Sequence, residues 1–462
     1  MYDLVIQNGY IVDPKNDREG CLSLALEGGR IAEVSDKPMQ AKAFFDAGGL
    51  HVMPGMIDMH VHVTSLFAGN YGIPMIAQSG VTSAIDFSGP ISEIKKVLAD
   101  KGSGINIGCC EAIIPGMTVD TDDLSREDLE KFIERSLENG ALGIKLLGGH
   151  FPLTSEATEA AIDVANMKKA FIACHSGTKA NGSNIEGFKE TIELAGKNPL
   201  FIAHINAYCR GLVKKPLLEI QEALDCLETH PNIRSESHMA HINGTSAIIE
   251  GGNPKSHVTR NCLKMAGYED TEEGLRQAIL DGYGLIHISD ETSIRLASGD
   301  EAICYWEGKG TKTGISFPVN RRDTAFLCAS AKSANGSFSI DALSTDGGGI
   351  PRNNLLQMGL CLVKFGALSL REFVHKTSTR PAELLGLKSK GNLSPGCDAD
   401  ITIFDYEKQR AIHSLVDGAF VLRDEQLVGQ KGKIITTSYG ETSLKEDRIP
   451  RIVIDSKALY GR

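Results

Sequence analysis

The segment Pro54-Gly55-Met56-Ile57-Asp58-Met59-His60-Val61-His62 carries an apolar run into His-x-His. In a β-strand, side chains two apart share a face. His60 and His62 can therefore reach one cation from a single strand end, and imidazole suits zinc, iron or nickel. An ordinary pair of strand-end histidines is the alternative. Lys145 sits inside the apolar run Gly143–Leu147, an unusual place for a strongly hydrated ammonium. A near-neutral lysine amine reacts with CO₂ to give a carbamate, an anionic oxygen donor able to bridge two cations. The alternative is a surface lysine at a strand edge.

Two further histidines, His175 after Phe171-Ile172-Ala173-Cys174 and His204 after Leu200-Phe201-Ile202-Ala203, lie 29 residues apart. That is about one strand-and-helix unit, and both fall at the C-terminal strand ends where barrel sites form. A lone histidine there is often structural; two in successive units are harder to dismiss. Asp346 ends another apolar segment and precedes three glycines. Its carboxylate could bind a metal and shuttle a proton, or simply belong to a glycine turn. The glycine run lacks the Lys-Ser/Thr of a phosphate loop.

A looser set surrounds these. His238 and His241 form an HxxH, on one helix face or at a loop edge. Either could replace His204 as a ligand, contact substrate, or belong to a polar loop. His150 follows Lys145 closely and is a candidate pocket residue. Cys174 should point away from the site, beside His175. Arg210, Arg321, Arg322 and Arg352 are candidates to grip a substrate carboxylate as a bidentate pair, with ordinary surface positions as the alternative.

The elements that must hold these residues alternate. From residue 53 to 392 short apolar runs alternate with stretches of helical spacing such as Ser125 to Glu138, which implies a parallel sheet. About eight such units close a (β/α)₈ barrel. The region Ile233 to Cys328 is the least regular, with apolar runs near Ile286 and Phe326, and strand seven has no clear place in it. The first fifty residues read as short strands and turns, and β pattern returns at Leu393–Asp405. Residues 1–52 and 393–462 are therefore expected to form one small β-sandwich, since domain termini often lie close together.

The chain's 462 residues, 42% hydrophobic and 23% charged, suit an ordinary soluble globular protein. A net charge of −11 argues against a nucleic-acid or acidic-membrane partner. No apolar run approaches about 18 residues. The opening MYDLVIQNGYIVD lacks the basic and apolar regions of a signal peptide. Eleven cysteines without regular spacing point to free thiols in a reducing cytoplasm. Oligomers are common among soluble enzymes, so a homo-oligomer is expected.

In this order the residues resemble the amidohydrolase superfamily. PGMIDMHVH is similar to its first-strand signature, and Lys145, His175, His204 and Asp346 match its strand-four lysine, strand-five and strand-six histidines and strand-eight aspartate. IQNGYIVDP and EGGRIAEV look like its leading sandwich strands, and TSTRPAELLGL and GNLSPGCDADITIFD like its closing segment. The resemblance implies two divalent cations, zinc being the expected metal. His60, His62 and Asp346 would hold one, His175 and His204 the other, and Lys145, carbamylated by CO₂, would bridge both. A metal-activated hydroxide would attack a carbonyl, with Asp346 taking its proton and returning it to the leaving group. The implied activity is cleavage of a C–N amide bond in a small molecule, of the cyclic-amide or N-acyl amino acid type found among dihydroorotase, hydantoinase and D-aminoacylase relatives. Ester or lactone hydrolysis fits the same chemistry. A mononuclear-metal deaminase of a heterocycle is the alternative, although such relatives usually lack the bridging lysine; a catalytically silent scaffold is a third reading, against which the retention of all six positions argues.

Overall fold

A computed structural model describes residues 1–66, 71–290 and 293–461. Its centre is a closed barrel of eight parallel strands. Seven are Met56–His62, Val81–Asp86, Asn106–Ile113, Gly143–Leu147, Phe171–His175, Leu200–Ile202 and Ile233–His238. Each pairs in parallel with the next in sequence. The eighth is split into Ala342–Ser344 and Gly347–Gly348. Its first half pairs with strand seven and its second with strand one, at Val61 and His62. Strands buried on both faces read as continuous apolar runs, and strand six and strand five up to its terminal His175 do so. Three of the intervening helices start on an oxygen cap. Ser125, Thr154 and Asn184 each accept from a first-turn N–H, and the buried faces of these helices pack Leu129, Ile162 and Phe188 against the sheet.

Strand seven is Ile-Arg-Ser-Glu-Ser-His, nearly all buried yet largely polar. An apolar pattern could not reveal it, because the polar side chains here serve the barrel interior. The run near Ile286 belongs instead to an insertion between strands seven and eight. There Thr245–Ser246, Gly314–Ser316, Leu285–Ser289 and Ile294–Ala297 form an antiparallel sheet. Helices His257–Met265, Glu272–Leu280 and Gly299–Gly308 pack on it around Leu263, Leu275, Ile286 and Trp306. The indole N–H of Trp306 donates to Ala247 O at 2.9 Å. The run near Phe326 is helix Arg322–Ser330.

Both chain ends build a second, nine-stranded sheet. Strands Tyr2–Asp13, Arg18–Glu27, Arg30–Ser35, Ala41–Asp46 and His51–Pro54 join Ile401–Asp405, Arg410–Val416, Ala419–Arg423 and Gln426–Leu427. Ile6, Leu24 and Ile31 from one half share a core with Ile401, Ile403 and Leu415 from the other. The last thirty residues depart from the expected sandwich. Ile434–Thr437 pairs with barrel strand three, and Arg451–Ile454 pairs with Ile434–Thr437. The apolar Ile434, Ile435 and Ile454 are buried against the barrel, which is why this segment joins it. A buried triad ties sheet to barrel: Lys390 Nζ lies 2.5 Å from Asp400 and 3.1 Å from Asp398. Asp400 also accepts from the side-chain amide of Asn106 on strand three, at 2.9 Å. Among the described residues no helix is long and apolar enough to cross a membrane.

Candidate metal centre and active site

Strand one places Asp58, His60 and His62 on its inner face by the two-residue repeat. Asp58 stitches the barrel shut: it accepts from Thr345 Oγ1 at 2.6 Å and from Thr345 N at 3.2 Å. Burial pushes its carboxyl up to about 7. The next residue, Asp346, takes a left-handed backbone (φ 51°) between the two halves of strand eight. This kink turns its carboxylate onto the histidines. Asp346 Oδ1 lies 2.9 Å from His62 Nε2 and 3.2 Å from His60 Nε2. Donor atoms of these three residues all lie within 4.8 Å of one another.

The other ring nitrogens are spoken for. His62 Nδ1 lies 2.7 Å from Ser88 Oγ, and His60 Nδ1 lies 2.9 Å from Glu236 Oε1. The same Glu236 oxygen accepts from His204 N at 2.6 Å, and its other oxygen accepts from Ser344 Oγ. Glu236 therefore ties strands one, six, seven and eight together beneath the centre, while burial pushes its carboxyl up to about 8. Partners of this kind fix which nitrogen a histidine offers a metal; here that is Nε2.

Lys145 on strand four is fully buried, and its Nζ has no hydrogen-bond partner. It stands 4.4 Å from the centre of the Phe87 ring. Burial lowers its pKa to about 8, so a sizeable fraction of neutral amine exists near physiological pH. His175 and His204, ending strands five and six, place their rings 4.4 Å apart, and His204 lies 5.3 Å from His60. His204 is held with φ 37°, and its Nδ1 is buried without a partner. Burial drives His60, His175 and His204 well below the usual histidine range, so all three are neutral imidazoles. Burial alone would raise Asp346, but the Arg352 charge and the neighbouring histidines hold it well below the carboxylate range. Neutral imidazoles and an ionised carboxylate are the forms that bind metal. Orphaned buried nitrogens on Lys145 and His204 within this donor set fit divalent cations.

The six expected positions therefore converge on one cavity of about 320 Å³, whose wall also includes His150, His238 and Arg210. His238 ends strand seven with its ring 6.0 Å from His204 and its Nδ1 buried without a partner. His241 does not belong to the wall. The strand stops at His238, so the HxxH shares no face, and His241 Nδ1 lies 2.7 Å from Asn320 O instead. Cys174 is buried and points away from the histidines, into the core. Sequence reasoning missed Glu236, hidden in a polar segment with no motif. It also could not single out Arg352, whose Nη2 lies 2.5 Å from Asp346 Oδ2.

The amidohydrolase family model matches residues 219–437. A dihydroorotase of Elusimicrobium minutum is 24% identical over 444 residues, covering 88% of each chain. A D-hydantoinase of Ralstonia pickettii is 22% identical, covering 90% of each. Among solved structures, N-acyl-D-glutamate deacylase from Bordetella bronchiseptica, complexed with zinc and a phosphonate inhibitor, superposes with a TM-score of 0.68 at 15% identity. It covers 94% of this chain and 99% of its own. The family match over residues 219–437 and the similarity to dihydroorotases and hydantoinases along most of the chain support the amidohydrolase superfamily.

Proposed function

We propose that the protein is a metal-dependent hydrolase that cleaves the C–N bond of a small amide, R–CO–NH–R′ + H₂O → R–COO⁻ + R′–NH₃⁺. The observation that carries this reading is Lys145, a buried, partnerless amine set among four metal-competent side chains and a carboxylate. His60, His62 and Asp346 would hold one divalent cation and His175 and His204 a second. Lys145, carbamylated by CO₂, would supply an oxygen to each, and zinc suits this donor set. When bound, such cations polarise the scissile carbonyl and lower the pKa of water toward about 7.

The chain's own residues manage geometry and protons. Glu236 holds His60 Nδ1 and the His204 backbone, so both rings keep their aim. Arg352 fixes one oxygen of Asp346, leaving Oδ1 beside the histidines. Asp346 Oδ1 takes a proton from the attacking water and returns it to the leaving nitrogen. Stays of this kind hold catalytic groups in productive geometry. The dihydroorotase, hydantoinase and deacylase relatives support a cyclic-amide or N-acyl amino acid substrate. All eleven cysteines are free thiols, which suits a reducing cytoplasm.

The test is amine release or ring opening across a panel of N-acyl amino acids and cyclic amides, with and without chelator. Chelator-sensitive turnover of at least one is expected. Turnover of heterocyclic amines with ammonia release, and of no amide, would replace this reading with a deaminase.

A further inference from the structure

The segment that follows strand six turns apolar side chains outward. Leu212 and Val213 are 52% and 45% exposed, and Leu217 and Leu218, at the start of helix Pro216–Thr229, are 61% and 54% exposed. Single exposed apolar residues are ordinary on a protein surface, whereas a group of them marks a contact site. Helix Arg322–Ser330 packs beside Pro216–Thr229 and leaves Phe326 and Leu327 exposed as well. A buried carboxylate fixes this display. Glu219 is fully buried and accepts from Gly211 N at 2.7 Å and from Val213 N and Lys214 N at 2.9 Å each. Those three bonds hold the loop in the shape that faces Leu212 and Val213 to solvent. A surface ordered before contact loses less entropy on association.

Charge along the helix says what covers the face. Lys214 and Lys215 precede it, Leu217 and Leu218 open it, and Gln221, Asp225 and Glu228 continue exposed along the same side. The face therefore runs from basic through apolar to acidic. Lys214 is engaged within the chain, 2.6 Å from Glu222. Among the described residues the Lys215 ammonium and the Glu228 carboxylate have no partner. A face of this order complements a second copy of itself when the two run antiparallel about a two-fold axis. The leucines of one copy then meet the leucines of the other. Lys215 of each copy lies about one helical turn from Asp225 of the other, within reach of a lysine stem. Parallel packing would instead set lysine against lysine and acid against acid. The acidic half likewise disfavours a nucleic acid or an anionic lipid surface.

We propose that this face joins two copies of the chain, with a two-fold axis passing beside Leu217 and Leu218. Leu212 also lines the metal-site cavity, so the contact borders the mouth of each cavity.

The experiment is sedimentation velocity with light scattering on the full chain. It compares wild type, the double variant Leu217→Glu/Leu218→Glu, the single variants Lys215→Glu and Asp225→Lys, and these last two combined. Wild type should have twice the mass of one chain, or an even multiple of it. The double glutamate variant should raise the dissociation constant of the pair by at least about 100-fold, with circular dichroism and metal content unchanged. Each single charge reversal should weaken association by at least about threefold. The combined reversal should recover wild-type affinity to within about threefold, because a two-fold contact repeats the same pair twice. If the double glutamate variant misfolds, the wild-type mass and the charge reversals decide the matter. A wild-type monomer at about 10 μM would overturn the proposal and leave the face to a different partner. A folded double glutamate variant of unchanged mass would also overturn it, placing the contact elsewhere. Charge reversals that do not compensate one another would overturn the antiparallel two-fold arrangement.

Discussion

Replacing Lys145 with methionine should stabilise the metal-free protein. The lysine is fully buried, its Nζ has no hydrogen-bond partner, and burial lowers its pKa from 10.5 to about 8. At neutral pH the amine is still mostly protonated, so the folded state carries an ammonium in a dry site. A tenfold change in proton affinity is worth about 1.4 kcal/mol, which makes this penalty roughly 3 kcal/mol at pH 7. Between about 8 and 10.5 the folded chain binds fewer protons than the unfolded one, so wild-type stability rises with pH across that window. The penalty is complete below about 8 and gone above 10.5. Methionine keeps the length and removes the charge, so its gain should be roughly 3 kcal/mol at pH 7 and close to zero by pH 10.5. The assay is urea unfolding of chelator-treated protein in CO₂-free buffer at several pH values, followed by circular dichroism. Fluorescence would be a poor substitute, because the single tryptophan, Trp306, lies in the insertion and not in the barrel. A variant less stable than wild type at pH 7, or a gain independent of pH, would show that the amine is already satisfied and refute the reasoning.

Asp346→Asn should keep bound metal but lower kcat by about 10²–10⁴-fold, the range of a lost proton shuttle; steady-state kinetics on the preferred amide with metal analysis decides it. Glu236→Ala removes the carboxyl that holds His60 Nδ1 and the His204 backbone, and should weaken metal affinity by about 10–100-fold in competition with a chelator. Gly149 stands where a β-carbon would lie 2.0 Å from His175 Nε2, so Gly149→Ala should displace that ring and cost metal, while Gly308→Ala, where nothing lies within 4 Å, serves as a control. Lys390→Met breaks the buried triad far from the cavity and strands two aspartates; it should cost about 3–5 kcal/mol in unfolding measurements with kcat unchanged.

How much of this was legible in the sequence follows from where each signal came from. His60, His62, Lys145, His175, His204 and Asp346 stood out because each ends or interrupts an apolar strand, and the βα alternation fixed where such strand ends meet. Strand seven was illegible because Arg234, Ser235, Glu236, Ser237 and His238 give no apolar run; its central carboxyl, Glu236, is held by residues far away in sequence, such as His60 and Ser344. Glu236 shared that fate. His241 looked equivalent to His238 by spacing, but spacing carries meaning only within one element, and the strand ends between them. Arg210 and Arg352 were indistinguishable until tertiary contacts gave one an aspartate and the other only an asparagine. The last thirty residues, short and mixed in pattern, gave no sign that they would pair with the barrel.

The central claim is a lysine-bridged pair of cations, and metal content tests it most directly. Protein purified without chelator and with bicarbonate present should contain about two divalent ions per chain, falling in Lys145→Ala. One ion per chain, unchanged in Lys145→Ala, would contradict the account and assign the histidines to a mononuclear centre.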